Sequence, residues 1–240
     1  MHVLSSAIAL YPTTLILRVG APEAITTFTV NVHVRYPVQI MMSKRTLYQP
    51  TDEDCARLRH AAISWAQEVA GDAGAIFLDT ETTGLDDRAE IIEISLLAAS
   101  GDVLLDTLVR PQTRIPPDAQ AVHGISNAMV ADAPDWPDVC RQLLEIIEAR
   151  RIVVYNAEFD FRMVSQMNRR HRLMHNLNTW QCAMQQYSGF AGVWHARYGN
   201  FRWHRLDDAV AKFGHPPGGH RALADARACK LVVDGMARSV

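Results

Sequence analysis

Three apolar runs, Ala75–Asp79, Ile91–Ala98 and Val103–Val109, follow one another with only turn-like residues between them. The separators are Thr83-Gly84-Leu85-Asp86-Asp87 and Ser100-Gly101-Asp102. Short apolar runs bounded by Gly, Asp and Ser read as strands, and connections this brief join antiparallel neighbours. The pattern predicts a three-stranded antiparallel meander. A Pro-rich loop follows, carrying Pro111, Pro116 and Pro117. The rhythm then changes. A helix is predicted at 136–149 with Asp135 as N-cap, a short buried strand at Ile152–Tyr155, and a helix at 158–169. The remainder reads as helical, at 180–187, 205–213 and 221–237. Strands first, then strands alternating with helices, predict an α/β domain with a mixed sheet.

Upstream, residues 51–70 read as a helix. Thr51 and Asp54 have the form of a capping box, and Cys55, Leu58, Ala62, Trp65, Ala66 and Val69 share one face at helical spacing. Gly71 to Gly74 end it. Residues 1–40 differ in kind: they are β-prone, and their only charged side chains are Arg18, Glu23 and Arg35. The alternation over Thr27–Val34 reads as a strand. This segment is expected to be an accessory β-hairpin extension, an ordered strand pair with only a packing role, or a start placed too early, with translation beginning at Met41 or Met42. The chain is thus divided into 1–40, a helical segment 41–74, and a main domain 75–240.

Composition narrows the function classes. A formal net charge of -2 excludes a global basic footprint but not an enzyme that holds a strand end locally. Cys55, Cys140, Cys182 and Cys229 are far apart with no CxxC spacing, which suits reduced thiols and suggests no zinc site. No apolar run approaches the roughly 18 residues of a membrane span, and Met1 to Leu10 lack the basic start of a secretory signal. A cytoplasmic location is expected.

Three clusters carry chemistry. Asp79 and Glu81 lie two apart at the end of an apolar strand, so the strand's period of two sends both to one face. Paired carboxylates repel unless a cation lies between them, and oxygen ligands of this kind suit Mg²⁺ or Mn²⁺. Asp160, in Asn156-Ala157-Glu158-Phe159-Asp160, falls near the start of a helix after a second apolar strand. His220 and Asp225 form the third cluster. Five residues of ideal helix turn through about 500°, so His220 shares a site with Asp225 only from before the helix or in its first turn. Gly218 and Gly219 allow that approach. Taken singly, each has an ordinary explanation: a strand-end carboxylate, a helix-start acid stabilised by the macrodipole, a loop histidine.

Together they occur in the order Asp, Glu, Asp, His, Asp. This arrangement resembles the DEDDh exonucleases of the DnaQ-like family, which includes the proofreading epsilon subunit of bacterial DNA polymerase III and RNase T relatives. The resemblance spans about Ala75 to Met236 and includes Asp118-Ala119-Gln120-Ala121-Val122-His123-Gly124-Ile125. It implies an RNase H-like fold with a mixed five-stranded sheet flanked by helices. It also implies a two-metal site binding Mg²⁺, with Mn²⁺ as a substitute, held by Asp79, Glu81, Asp160 and Asp225, with His220 as general base. Thr82, Thr83, Gly84, Asp118 and His123 are implied substrate contacts. The expected reaction releases 5′-mononucleotides from a single-stranded DNA 3′ end; the same chemistry on RNA is the nearest alternative. A non-catalytic binding module is a third reading. No long segment follows Asp225 to serve a polymerase partner, so a stand-alone nuclease is expected.

Residues 150–205 carry arginines at 150, 151, 162, 169, 170, 172, 197, 202 and 205 against two acids, Glu158 and Asp160. Trp194, Tyr198, Phe201 and Trp203 interleave with them. Arginine with aromatics suits a single strand, whose phosphates need cations and whose unstacked bases need a flat partner. The alternative is that the tryptophans belong to the core and the arginines to a solvated face.

Overall fold

The computed structural model describes residues 14–19, 26–31, 49–173 and 180–239, and divides into two units, Met1–Thr46 and Leu47–Val240. In the first unit, Thr14–Val19 (β1) and Thr26–Asn31 (β2) pair antiparallel, with Leu15 opposite Val30 and Leu17 opposite Phe28. The strand predicted over Thr27–Val34 is therefore present in its first part; residues 32–34 lie outside the described ones.

The second unit begins with Asp52–Gly71 (α1). Its start is set by the predicted box: Thr51 accepts from the Asp54 N–H, and Asp54 accepts from the Thr51 N–H at 3.1 Å. Ala62, Ala66 and Val69 are buried. The Trp65 indole donates to the Gln181 side chain at 2.8 Å.

The meander is as predicted. Ile76–Thr82 (β3), Ile91–Ala98 (β4) and Val103–Leu108 (β5) pair antiparallel in sequence order. The Pro-rich stretch contains a helix that the sequence reading missed, Pro117–His123 (α2), which closes on Gly124 at φ 74°. Proline breaks a helix interior but fits its first turn, where the missing N–H has no intrahelical partner. Trp136–Ile147 (α3) follows. Asp135 occupies the N-cap position, but its side chain makes no capping bond.

Ile152–Val154 (β6) lies parallel to β3, and Ala157–Arg170 (α4) returns over the sheet. The predicted helix at 180–187 is a correction. Its first residues form Trp180–Cys182 (β7), parallel to β6, and only then does Ala183–Ala191 (α5) begin. Three residues are too few to show a period. A hairpin absent from the sequence reading comes next, Trp194–His195 (β8) against Asn200–Phe201 (β9). Leu206–Ala211 (α6) and Ala222–Ala237 (α7) complete the chain.

The sheet order is β5-β4-β3-β6-β7, a mixed five-stranded sheet covered on both faces. Pleat alternation divides the core. Phe77, Leu97 and Val153 pack on one side with Ala226, Cys229, Val232 and Val233 of α7 and with Ala62, Ala66 and Val69 of α1. Ile76, Leu78, Ile152 and Val154 pack on the other with Val139 and Leu143 of α3 and Met163, Val164 and Met167 of α4. No described helix is long and apolar enough to cross a membrane.

Candidate active site

Strand β3 runs apolar through Leu78 and then turns acidic. On the side where Phe77 faces α7, the same parity carries Asp79 and Glu81 forward to Asp225 in the first turn of α7. Ligand oxygens from Asp79, Glu81 and Asp225 all lie within 4.8 Å of one another. The other parity carries Thr80 toward α4, where its hydroxyl donates to Asp160 Oδ1 at 2.7 Å. Asp160 is buried, at 3% exposure. It lies outside the three-oxygen group but lines the same cleft as Asp79 and Asp225.

These acids are held against their own charge. Burial lifts Glu81 to about 8, helped by Asp225, Glu93 and Asp160. Burial lifts Asp160 to about 7 against the opposing Thr80 hydrogen bond, and Asp225 to about 6. Asp79 rises well above the ordinary carboxylate range, through burial and then repulsion by Asp160, Asp225, Glu81 and Glu93. Asp225 Oδ1 is buried without a hydrogen-bond partner. Crowded carboxylates with an orphaned acceptor are what a divalent cation relieves, and an all-oxygen donor set suits a hard ion.

His220 stands two residues before α7, as sharing a site with Asp225 requires. It adopts a left-handed conformation at φ 56°, next to Gly219 at φ 86°, and lines the cleft with Asp79, Asp160 and Asp225. Its charge and main chain favour the ionised form of Asp225. Gly218 packs directly on Asp225. A Cβ there would overlap the carboxylate and approach the Asp225 Cα to 3.2 Å.

The sequence reading missed what anchors this turn. Glu93, opposite Glu81 in the β3–β4 register, is buried at 3% exposure. Arg221 Nε donates to its two oxygens at 3.1 and 3.0 Å, Arg221 Nη2 donates to Oε1, and the Ala222 N–H donates to Oε2 at 2.9 Å. One carboxylate therefore fastens both the residue after His220 and the first N–H of α7 to the sheet. The available signal was an acid inside the apolar run Ile91-Ile92-Glu93-Ile94, which must find a partner when buried.

The five implied substrate contacts lie outside the lining of the carboxylate cleft. Thr82 Oγ1 donates to the Gly84 carbonyl at 2.7 Å, and Thr83 Oγ1 accepts the Glu90 N–H at 2.9 Å. Both hydroxyls thus shape the turn after β3. His123 is buried; its Nδ1 accepts the Ile125 N–H at 3.0 Å while Nε2 has no partner at hydrogen-bonding geometry. Burial lowers its pKa, with the Thr82 main chain opposing. Asp118 is exposed in the first turn of α2.

The cleft has a volume of about 470 Å³. Three side chains of the arginine-rich stretch are engaged within the fold. Arg151 pairs with Asp72, Arg162 donates to the Leu85 carbonyl, and Arg170 binds the Arg88 carbonyl and Glu90. Trp194 and Phe201 pack edge to face across the hairpin, ring centroids 5.2 Å apart. Trp203 and Arg205 line the cleft.

Comparison with known proteins agrees with the geometry. The RNase_T family model, described as exonuclease, matches residues 76–233. The chain is 40% identical over 191 residues to the uncharacterized exonuclease CP81 of Escherichia phage 186, covering 76% of this chain and 95% of that one. It is 34% identical over 96 residues to the DNA polymerase III epsilon subunit of Rickettsia felis, covering 38% of this chain and 42% of that one. The nuclease domain of 3'hExo, a DEDDh family member solved bound to rAMP, shares the fold with a TM-score of 0.54 at 18% identity, covering 67% of this chain and 90% of that one. With the family model running over most of its length, and with acids and histidine in DEDDh order on an RNase H-like sheet, the chain belongs to the DnaQ-like exonucleases of the RNase_T family.

Proposed function

We propose that this exonuclease is a divalent-metal-dependent enzyme that degrades nucleic acid from the 3′ end, releasing 5′-mononucleotides from single-stranded or frayed DNA. The observation that carries the reading is the convergence of Asp79, Glu81 and Asp225 within 4.8 Å, with His220 on the same cleft. Asp79, Glu81 and Asp225 would hold Mg²⁺, with Mn²⁺ able to replace it, and Asp160 would serve a second ion directly or through water. Bound there, the ions supply charge neutralisation at the phosphate oxygens and a more acidic water.

The rest falls to the chain. His220 takes the proton of the attacking water on an imidazole nitrogen, as a base placed beside the carboxylates can. Its left-handed backbone, next to Gly219, gives the side chain an approach that a helical residue lacks. Glu93 keeps that turn in place through Arg221. Thr82, Thr83, Gly84, Asp118 and His123 would border the terminal nucleoside.

A time course on 3′- and 5′-end-labelled DNA and RNA strands of matched sequence, with Mg²⁺ or with a chelator, tests the reading. A ladder shortening from the 3′ end of DNA only when Mg²⁺ is present supports it. Shortening from the 5′ end, or equal rates in chelator, overturns it; faster loss of RNA moves the substrate to the ribonucleotide class.

A further inference from the structure

The carboxylates form one end of a cleft whose other wall is not acidic. That wall is the segment between β9 and α6, where Trp203, His204 and Arg205 join Asp79, Asp160 and Asp225 in lining the same space. Trp203 remains 55% exposed, although the segment carrying it is tightly held. On one side the Arg202 N–H donates to the Val193 carbonyl at 2.7 Å, closing the end of the hairpin. On the other the Tyr155 hydroxyl, rising from the end of β6, donates to the carbonyls of His204 and Arg205 at 3.0 and 3.4 Å. A large indole on backbone anchored at both neighbours, yet more than half exposed, loses little freedom when a flat partner stacks on it.

Arg205 adds the charge. Its side chain is 72% exposed, and its ion pair, with Asp207, is long at 3.9 Å. The guanidinium is therefore available to an anion beside the indole. Trp194 and Phe201 differ: they satisfy each other inside the hairpin. None of Thr82, Thr83, Gly84, Asp118 and His123 lines this wall. With the terminal nucleoside bordered by those residues as proposed above, a strand whose scissile phosphate sits at the carboxylates has its next nucleotide free to reach the Trp203 wall.

We infer that Trp203 and Arg205 form the subsite for the penultimate nucleotide of the strand, the base stacking on the Trp203 indole and the phosphate on its 5′ side pairing with Arg205. The inference rests on the exonuclease reading above and adds a consequence to it. A stacked, unpaired penultimate base cannot also remain in a duplex, so this wall selects single-stranded or frayed ends. Stacking on an aromatic face is indifferent to base identity, which suits stepwise removal of any sequence.

The test is a cycle between protein and strand. Wild type, Trp203→Ala and Trp203→Phe are each given an intact DNA strand, one whose penultimate nucleotide lacks its base and one whose terminal nucleotide lacks it. Binding is read by anisotropy of a labelled strand in chelator, and turnover separately with Mg²⁺. Trp203→Ala should weaken binding of the intact strand about 5- to 150-fold on stacking magnitudes, raising KM while leaving kcat nearly unchanged. Trp203→Phe should restore most of the loss. On the strand with the missing base, wild type and Trp203→Ala should bind alike. Arg205→Gln should flatten the dependence of log affinity on log salt by about 0.7.

Equal losses from Trp203→Ala on both strands, or no loss on either, overturn the subsite. An effect that disappears only when the terminal nucleotide lacks its base moves the subsite to that nucleotide and overturns the assignment. A binding cycle that holds without any turnover sinks the exonuclease reading alone; turnover with additive losses sinks the subsite alone.

Discussion

In the proposed reaction single side chains carry the chemistry, and their environments set what each substitution does. Burial and repulsion by Asp160, Asp225, Glu81 and Glu93 raise the Asp79 carboxyl well above its ordinary range, so its oxygens gain from a cation. Asp79→Asn should reduce turnover to background while unfolding remains cooperative; near-normal hydrolysis by the purified variant would remove Asp79 from the metal set. His220→Gln should lower kcat by roughly 10²- to 10⁴-fold, the usual worth of a positioned base, with strand affinity little altered. A change confined to KM would contradict that role. Glu81, Asp79, Asp160, His220 and Asp225 were legible in the sequence because each lies beside an element boundary that the pattern marks independently. Glu93 was not. Its chemistry depends on Arg221, far away in sequence, and nothing local in Ile91-Ile92-Glu93-Ile94 names that partner.

Among elements, legibility followed length and periodicity. The meander, α1 and α7 were found because their apolar positions repeat over several turns or several alternations. Strand β7 and the β8–β9 hairpin owe their existence to neighbours: β7 pairs with β6, and two-residue strands have no period to read. Helix α2 was hidden behind prolines that normally stop a helix but here begin one.

Two glycines make element-scale predictions. Gly218→Ala should reduce Mn²⁺ affinity and turnover together, because the added methyl displaces the Asp225 carboxylate; calorimetric titration with Mn²⁺ checks this, and unchanged affinity counts against it. Gly235 lies within α7, where alanine is ordinarily better than glycine by about 1 kcal/mol. Its Cβ would collide with the Phe213 ring beyond α6, reversing the sign. Gly235→Ala should cost about 1–3 kcal/mol, a Tm fall of several degrees in thermal denaturation.

For the whole molecule, the crowded carboxylates make stability depend on pH in a defined direction. Glu81, Asp160 and Asp225 have folded-state values of about 8, 7 and 6, each above its ordinary value. The folded protein therefore binds more protons than the unfolded chain between the two sets of values, and stability falls as pH rises through that window. Metal-free protein should melt progressively lower from about pH 5 to about pH 8. Saturating Mg²⁺ at pH 8 should recover about 5–10 °C if the ion stands near a hundred times its Kd. A flat metal-free profile, or no shift with Mg²⁺, would show that the acids do not repel as their burial dictates.

The pleat of β3 has one more consequence. By alternating, it gathers Asp225 from the layer beneath and Asp160 from the layer above onto a single seam. Neither slab of the sandwich owns the reaction. Warming that merely loosens one layer from the sheet would silence the enzyme as completely as melting it, so hydrolysis should cease at or below the temperature at which the sheet itself collapses.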